Sequence, residues 1–587
     1  MLPILSLLPV LVLCIACAQA PDKSAAGTLA SARSWTAQAE DGSFEERARR
    51  MLAGSANVAG GLDEGLLYKF LLAEIAGQRG DLPLAAQTYV ELARTTKDAG
   101  VARRATEIAL YAKLNEIALE AARIWLAAEG DSPAARQTLA TLLVNSRNLD
   151  AARPLLAEAL AAERDNPGQA LLQLHGVLSR HPDKGAVHDL VADLTGPYRK
   201  HAEAHYVIAQ AAQAAGRHEA AQAAIGEALR IRPDWAAAAL LHAQLLARDA
   251  QERSLDYLNQ YLLRNPESQE VRLAFARNLI NEKRYEQARG EFQKLLAANP
   301  DNADIALTVA FLSLQMNDVE AADVQLKRAL ELGYQDPDTI RFQLGQVNED
   351  LKRLDEAGRW YRAVSGGAQY VVAQARYALL LARQQQLDEA RAHLQNLAPQ
   401  SEAQRVQLVQ AEAHLLREVR QYDESFQVLR DALDVQPDHP DLLYDIALAA
   451  EKLDRLDFVE ASLRKLITMK PDHAQAYNAL GYTLADRTDR LTEAYEYIEQ
   501  AMRLAPDDPF ILDSMGWVHY RLGNYKEGLG YLRRAYEQRR DPEIAAHLGE
   551  VLWAKGSRDE AESVWRESLR DNPESDELRR TMRRFLE

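Results

Sequence analysis

From about Leu62 to Pro573 the chain repeats itself every 33–36 residues, and this period restricts the fold more than any other feature. Prolines mark it at Pro233, Pro266, Pro300, Pro437, Pro471, Pro506 and Pro573. A second marker is a pair of small residues 12 positions apart, as in Ala73/Ala85, Ala209/Ala221, Ala276/Ala288, Gly516/Gly528 and Gly549/Ala561. Gly481/Ala494 is the same pair with one residue inserted. Such spacing fits two antiparallel helices joined by a short turn. A small residue on each helix lets the backbones approach, and bulkier residues four and seven positions later fill the adjacent holes. No such hairpin buries its apolar face alone, so the pairs must stack on one another.

Composition agrees with an all-helical chain. Of the 587 residues 47% are hydrophobic but only 7% aromatic; good helix formers dominate, and no β-branched runs alternate with turn clusters. With 69 Lys+Arg against 86 Asp+Glu, the net charge of −17 argues against nucleic acid, which needs a basic groove. The two cysteines, Cys14 and Cys17, both fall in the first 20 residues. The remainder therefore has no disulfide, thiolate nucleophile or cysteine metal site.

The motif Leu480-Gly481, Met515-Gly516 and Leu548-Gly549, followed by the second small residue and then proline, resembles the tetratricopeptide repeat (TPR), whose pattern runs W-x2-L-G-x2-Y, A-x3-F and P. The resemblance covers about 85% of the chain in 13 clear units over 62–573. It implies an all-α, right-handed superhelical TPR solenoid. Two stretches fit poorly. Residues 168–200 are short for a full unit, and in 235–267 His242 falls on the small position unless the turn loses a residue. After Pro573, Leu578, Met582, Phe585 and Leu586 form an apolar stripe. Residues 574–587 are thus expected as a capping helix over the last repeat, with Arg579, Arg580, Arg583 and Arg584 in water.

The N-terminus reads as an address. Residues 2–20 are apolar and uncharged, and Pro3 and Pro9 disfavour a persistent spanning helix. Ile15-Ala16-Cys17 resembles a bacterial lipobox, with residues 1–16 as signal peptide and Cys17 as the acylated residue. A plain cleaved signal and an uncleaved anchor are the alternatives. Ala18 after the cysteine implies, by the same resemblance, outer-membrane sorting facing the periplasm. Residues 17–61 form a tether. Within it Ser43 and Glu46 make a capping box, and Phe44, Met51 and Leu52 share the apolar stripe of a short helix near 43–53. That helix either packs on the first repeat or docks on a partner or the protein's own groove.

No phosphate loop or nucleophile elbow occurs. In His201-Ala202-Glu203-Ala204-His205 the Glu is not beside the first His, as a zinc helix requires, and no cofactor or metal is expected. The chain reads as a non-enzyme that takes neither nucleic acid nor a small-molecule substrate. Function then falls to the inner surface. In this repeat family, offsets −6, −3, +1 and +4 from the small residue of each first helix face inward. They select Gln475, Asn478, Tyr482 and Ala485; Phe510, Asp513, Trp517 and Tyr520; and Glu543, Ala546, Glu550 and Trp553. Trp517, Tyr520 and Trp553 either anchor a partner or pack between repeats. The basic cluster Arg533, Arg534, Arg539 and Arg540 either complements a helix dipole or meets an acidic partner.

Over 474–572 the chain resembles the large TPR outer-membrane lipoproteins of Proteobacteria. A member of that family is an adaptor that binds a periplasmic carboxyl-terminal processing protease and delivers cell-wall hydrolases to it. The resemblance implies an adaptor that gathers a processing protease and its protein substrates. The alternative is an assembly factor, pilotin-like or barrel-assembly-like, for an outer-membrane machine.

Overall fold

The prolines and small-residue pairs act in concert to set helix limits. In a computed structural model that describes residues 64–163 and 165–586, each marker proline of the repeats lies two residues beyond the end of a second helix. Thus His218–Ile231 ends before Pro233, Tyr285–Ala298 before Pro300 and Leu491–Leu504 before Pro506. A ring without an N–H cannot continue the helical ladder. First helices often start on an acid followed by proline. Asp508 accepts the amides of Phe510 and Ile511 at 2.9 and 3.2 Å, with Pro509 in the first turn. Residues 1–16, Cys17, the 17–61 tether and the expected helix with Phe44, Met51 and Leu52 lie outside the described residues.

Among the described residues there are 31 α-helices and no strand, so the chain is an all-α helix-pair solenoid. It divides into two compact units, 1–318 and 319–587. In the first, six packed pairs and the helices Pro167–Leu178 and Lys184–Leu194, which pack on their neighbours, run from Glu64–Gln78 with Leu82–Thr96 to Gln269–Asn281 with Tyr285–Ala298, and Ala303–Gln315 follows. In the second, Val319–Glu331 precedes seven pairs that end with Pro542–Ala554 and Arg558–Asp571. The helix Asp576–Leu586 then packs on both members of the last pair.

In most pairs the turn has three residues, and its second sits in the left-handed region. Gly523 (φ 81°) occupies that place in one turn, and Lys283 (φ 59°) and Arg147 (φ 63°) in others. The residue after it donates back five positions, as Asn524 N–H does to His519 C=O at 2.8 Å, closing the first helix with a Schellman motif. The small residues do what their spacing implied. A Cβ added to Gly516 would stand 2.5 Å from Leu532 Cγ and 3.0 Å from the Gly528 carbonyl. One on Gly481 would stand 2.5 Å from Ile498 Cγ1, and one on Gly549 would enter the Trp565 ring. Leu532, Ile498 and Trp565 each lie four residues after the second small residue and are fully buried.

The two irregular stretches have distinct causes. Ala236–Asp249 and Gln251–Arg264 are joined by Ala250 alone. The shorter connection moves the small pair to Ala243 and Ser254, 3% and 0% exposed, 11 residues apart. His242 is left beside it, its ring tilted against Tyr257 with centroids 4.5 Å apart. In 168–200 the helices Pro167–Leu178 and Lys184–Leu194 are short. The first packs on Ala202–Ala214, and the second on Leu149–Ala162 and Ala202–Ala214. A cavity of about 80 Å³ lies against Leu178, Val187, Val191 and Val207.

The terminal helix buries Leu578 completely and half-buries Met582 and Phe585, while Leu586 stays 39% exposed. The ring of Phe585 lies 5.6 Å from Trp565 and 5.9 Å from Trp553. Arg584 does not simply stand in water as the sequence suggested, because it reaches Glu550 at 3.4 Å.

Close approach predicts opposite outcomes for two glycines of one pair. Gly516→Ala should cost about 1–3 kcal/mol, since Leu532 and the facing backbone must move. Gly530→Ala has nothing within 4 Å and should gain about 0.5–1 kcal/mol from helix propensity. Urea unfolding of both variants checks the pair; equal shifts would contradict the packing.

Candidate functional site

Four consecutive first helices, Pro440–Lys452, Ala474–Arg487, Pro509–Arg521 and Pro542–Ala554, contribute to one cavity of about 200 Å³. Tyr444, Glu451 and Lys452 come from the first of these, Asn478 and Tyr482 from the next, Phe510 and Asp513 from the third and Glu543 from the fourth. The chemistry-bearing side chains recur at three- and four-residue intervals, which puts them on one face of each helix.

Beside this cavity lies a buried charge cluster. His547, 6% exposed, places Nδ1 2.9 and 3.1 Å from the two carboxylate oxygens of Asp513. Its Nε2 is 3.3 Å from the Tyr482 hydroxyl, and its ring stacks on Trp517 with centroids 4.3 Å apart. Burial alone would strip the proton from the imidazole. The charge and hydrogen bond of Asp513, with Glu543 and Glu577 behind, outweigh it and push His547 up to about 9. At neutral pH it is a cation: Nδ1–H donates to Asp513 and Nε2–H to the Tyr482 oxygen. Burial also pushes Tyr482 well above the usual phenol range. For Glu543, burial and then the negative charge of Glu577 push the carboxyl up to about 7.

Of the residues the sequence selected, Asn478, Tyr482, Phe510, Asp513 and Glu543 line the cavity together. Trp517 is 6% exposed and supports His547 from behind, and Tyr520 lies against it with centroids 5.1 Å apart. Glu550, also 6% exposed, accepts from Tyr520 at 3.4 Å. Burial pushes its carboxyl up while Arg584 pulls it down. Trp553 stacks on Trp565 at 5.9 Å under the terminal helix, away from the cavity lining. Gln475 is exposed and does not line the cavity, and Ala546 is buried.

The inward-offset rule missed His547, two places before Gly549, although its four-residue spacing from Glu543 is visible in the sequence. Counted from Ala447 in the preceding pair, the same offsets give Tyr444 and Glu451, which a reading of the last three pairs leaves out; Lys452, and Glu577 of the terminal helix, fall off the rule. The basic cluster is paired within the fold: Arg533 with Glu560 at 2.6 Å, Arg540 with Glu567, and Arg539 over the Phe510 ring at 4.9 Å. In the stretch with spaced histidines, His201 precedes the helix and His205 Nε2 meets the Arg199 carbonyl at 2.9 Å. Among the described residues no helix is long and apolar enough to cross a membrane.

Comparison with known proteins gives the same repeat. Tetratricopeptide-repeat families match residues 202–234, 279–343, 411–457, 460–509 and 514–576. A TPR repeat-containing protein of Pseudomonas aeruginosa is 32% identical over 515 residues, covering 88% of this chain and 86% of its own. The auxiliary subunit of the N-terminal acetyltransferase A complex of Arabidopsis thaliana is 26% identical over 175 residues, 27% of this chain and 19% of its own. Among solved structures, a chain of the APC/C hetero-tetramer Cut9–Hcn1 matches at 15% identity and TM-score 0.30, over 89% of this chain and 97% of that one. A thermophilic TPR protein of Thermus thermophilus matches at 23% identity and TM-score 0.28, over 30% of this chain and 95% of that one.

His547 and Glu543 both hold protons in the folded chain that the unfolded chain would release. The stabilisation from His547 is complete below about pH 6.5 and disappears as pH rises through about 9. That from protonated Glu543 disappears between about 4.5 and 7. The groups facing them are Asp513, Tyr482, Glu577, Glu550, Asp486, Lys452 and Arg584. Urea unfolding of the wild type should therefore weaken from pH 6.5 to 9 by on the order of 2 kcal/mol relative to His547→Gln. Parallel pH profiles for the two proteins would contradict this.

Proposed function

Because the chain belongs to the family of TPR repeat-containing proteins that includes its Pseudomonas aeruginosa relative, and is like them a protein-interaction scaffold, we propose that it is an adaptor of the outer membrane. In this reading Cys17 carries the lipid and the tether projects the repeats into the periplasm. The helix-pair array holds a carboxyl-terminal processing protease together with the protein substrates it cleaves, cell-wall hydrolases among them. The helix near 43–53 is a candidate second docking element.

The observation that carries the reading is the cavity shared by four consecutive first helices. It falls within or next to 474–572, where the resemblance to the adaptor lipoproteins is sharpest, and it is walled by aromatic and hydrogen-bonding side chains on a rigid frame. Aromatic anchors of this kind concentrate binding energy in few residues. Binding two proteins to one anchored array raises their mutual concentration without any new contact between them. No bond need be broken by the scaffold itself.

Affinity purification of the full chain from envelope membranes, followed by mass spectrometry, tests the proposal. The expected result is co-recovery of a carboxyl-terminal processing protease, reduced about tenfold by Phe510→Ala if the cavity supplies one hot-spot contact. Recovery of no protease of that class would overturn the adaptor reading.

A further inference from the structure

The cavity has a charge imbalance that the fold does not resolve. Three carboxylates line it. Asp513 is answered by His547 at 2.9 Å, and Glu451 by Lys452 at 3.3 Å. Among the described residues the Glu543 side chain has neither an ion pair nor a hydrogen bond, and Glu577 adds a further negative charge next to it. The groups gathered there, Glu451, Asp513, Glu543 and Glu577 against Lys452 and His547, leave two more carboxylates than cations.

The walls point the same way. Tyr444, Tyr482 and Phe510 present aromatic rings to the cavity, and an aromatic face attracts a cation through its quadrupole. The Asn478 amide on the same wall has its Oδ1 buried without a hydrogen-bond partner, which is costly unless a donor arrives. Burying a carboxylate without a counter-charge is equally unfavourable. An incoming group with several N–H donors and a positive charge would satisfy Glu543 and Asn478 together. A carboxylate or phosphate would face unbalanced negative charge, and a purely apolar side chain would leave both polar groups unpaired.

From this we infer that the cavity between Tyr444, Asn478, Tyr482, Phe510 and Glu543 receives the cationic side chain, arginine or lysine, of a bound protein segment. The inference rests on the reading of the chain as a protein-binding scaffold and adds the chemistry of the group that its cavity selects. A guanidinium lying between aromatic rings and donating to Glu543 and Asn478 Oδ1 uses both planar stacking and its fork of donors. Binding would also complete the neutralisation of Glu543. Its carboxyl, held up to about 7 by burial and Glu577, would lose its proton as the cation enters, so affinity should rise with pH across the neutral range.

Saturation-transfer NMR on the full chain tests this with Nα-acetyl-arginine methylamide as the probe and its neutral isostere, the citrulline derivative, as comparison. The arginine probe should receive at least threefold more saturation than the citrulline probe. The difference should vanish in Glu543→Gln and persist in Glu560→Gln, an exposed carboxylate that pairs with Arg533. Equal signals from the two probes, or an arginine signal unchanged by Glu543→Gln in a chain of normal helicity, would overturn the inference. Displacement of the arginine probe by a hundredfold lower concentration of spermidine would reassign the cavity to a free polyamine and overturn it as well. Loss of probe binding with protease still recovered from membranes would sink this inference alone. A probe that binds as expected while no protease is recovered would sink the adaptor reading alone.

Discussion

At several pairs of the second unit one added methyl group would keep the two helices from closing as they do. Where Gly481, Gly516 and Gly549 stand, the facing helix passes so near that a Cβ would lie inside contact distance of Ile498, Leu532 and Trp565. That approach lets the large residue four positions along the second helix drop over the first and become fully buried. Dispersion and hydrophobic burial then accumulate along the whole array from one repeated contact. The alignment of first helices that makes the cavity depends on these pairs closing.

Register between pairs is set by weaker and more regular contacts. The residue that closes the turn of a pair is often arginine, and it reaches back to an acid on the second helix of the pair before. Arg217 meets Asp189 at 2.5 Å, Arg284 meets Glu252 at 3.0 Å, Arg455 meets Asp423 at 3.1 Å and Arg490 meets Glu460 at 2.8 Å. Each is a solvent-facing bridge of small net worth. Repeated along the array, they favour one stacking register over its neighbours. The ion pair of Arg420 with Asp576 at 2.5 Å joins residues 156 apart in sequence and ties the start of the terminal helix to an earlier pair of the same unit.

The buried cluster of Asp513, His547, Tyr482 and Trp517 is of another kind. An apolar set of similar volume would be no less stable, because removing a charge pair from water costs several kcal/mol per ion before the attraction returns it. Its effect is to fix three first helices to one another through directional bonds and to leave Glu543 as the unneutralised member. The carboxylate without a cation lies in the cavity lining.

Most of the fold was legible because the closing contact is local. Two small residues 12 apart, a proline beyond the second helix and an acid before the first each act within one repeat. Even the irregular pair obeyed the rule, shifted to Ala243 and Ser254 by a turn reduced to Ala250. The same local rule found Asn478, Tyr482, Phe510, Asp513 and Glu543, because inward-facing positions follow from helical phase alone. It could not find His547, Lys452 or Glu577, or foresee that Trp553 would be spent under the terminal helix. Those outcomes depend on where neighbouring pairs and the cap come to rest. The sequence by itself thus determined the helices, their pairing and the candidate face. Only the tertiary structure decided which carboxylates found a cation, since a charge is neutralised by whatever packing brings within a few ångströms, and that distance is not written in the spacing of any one repeat.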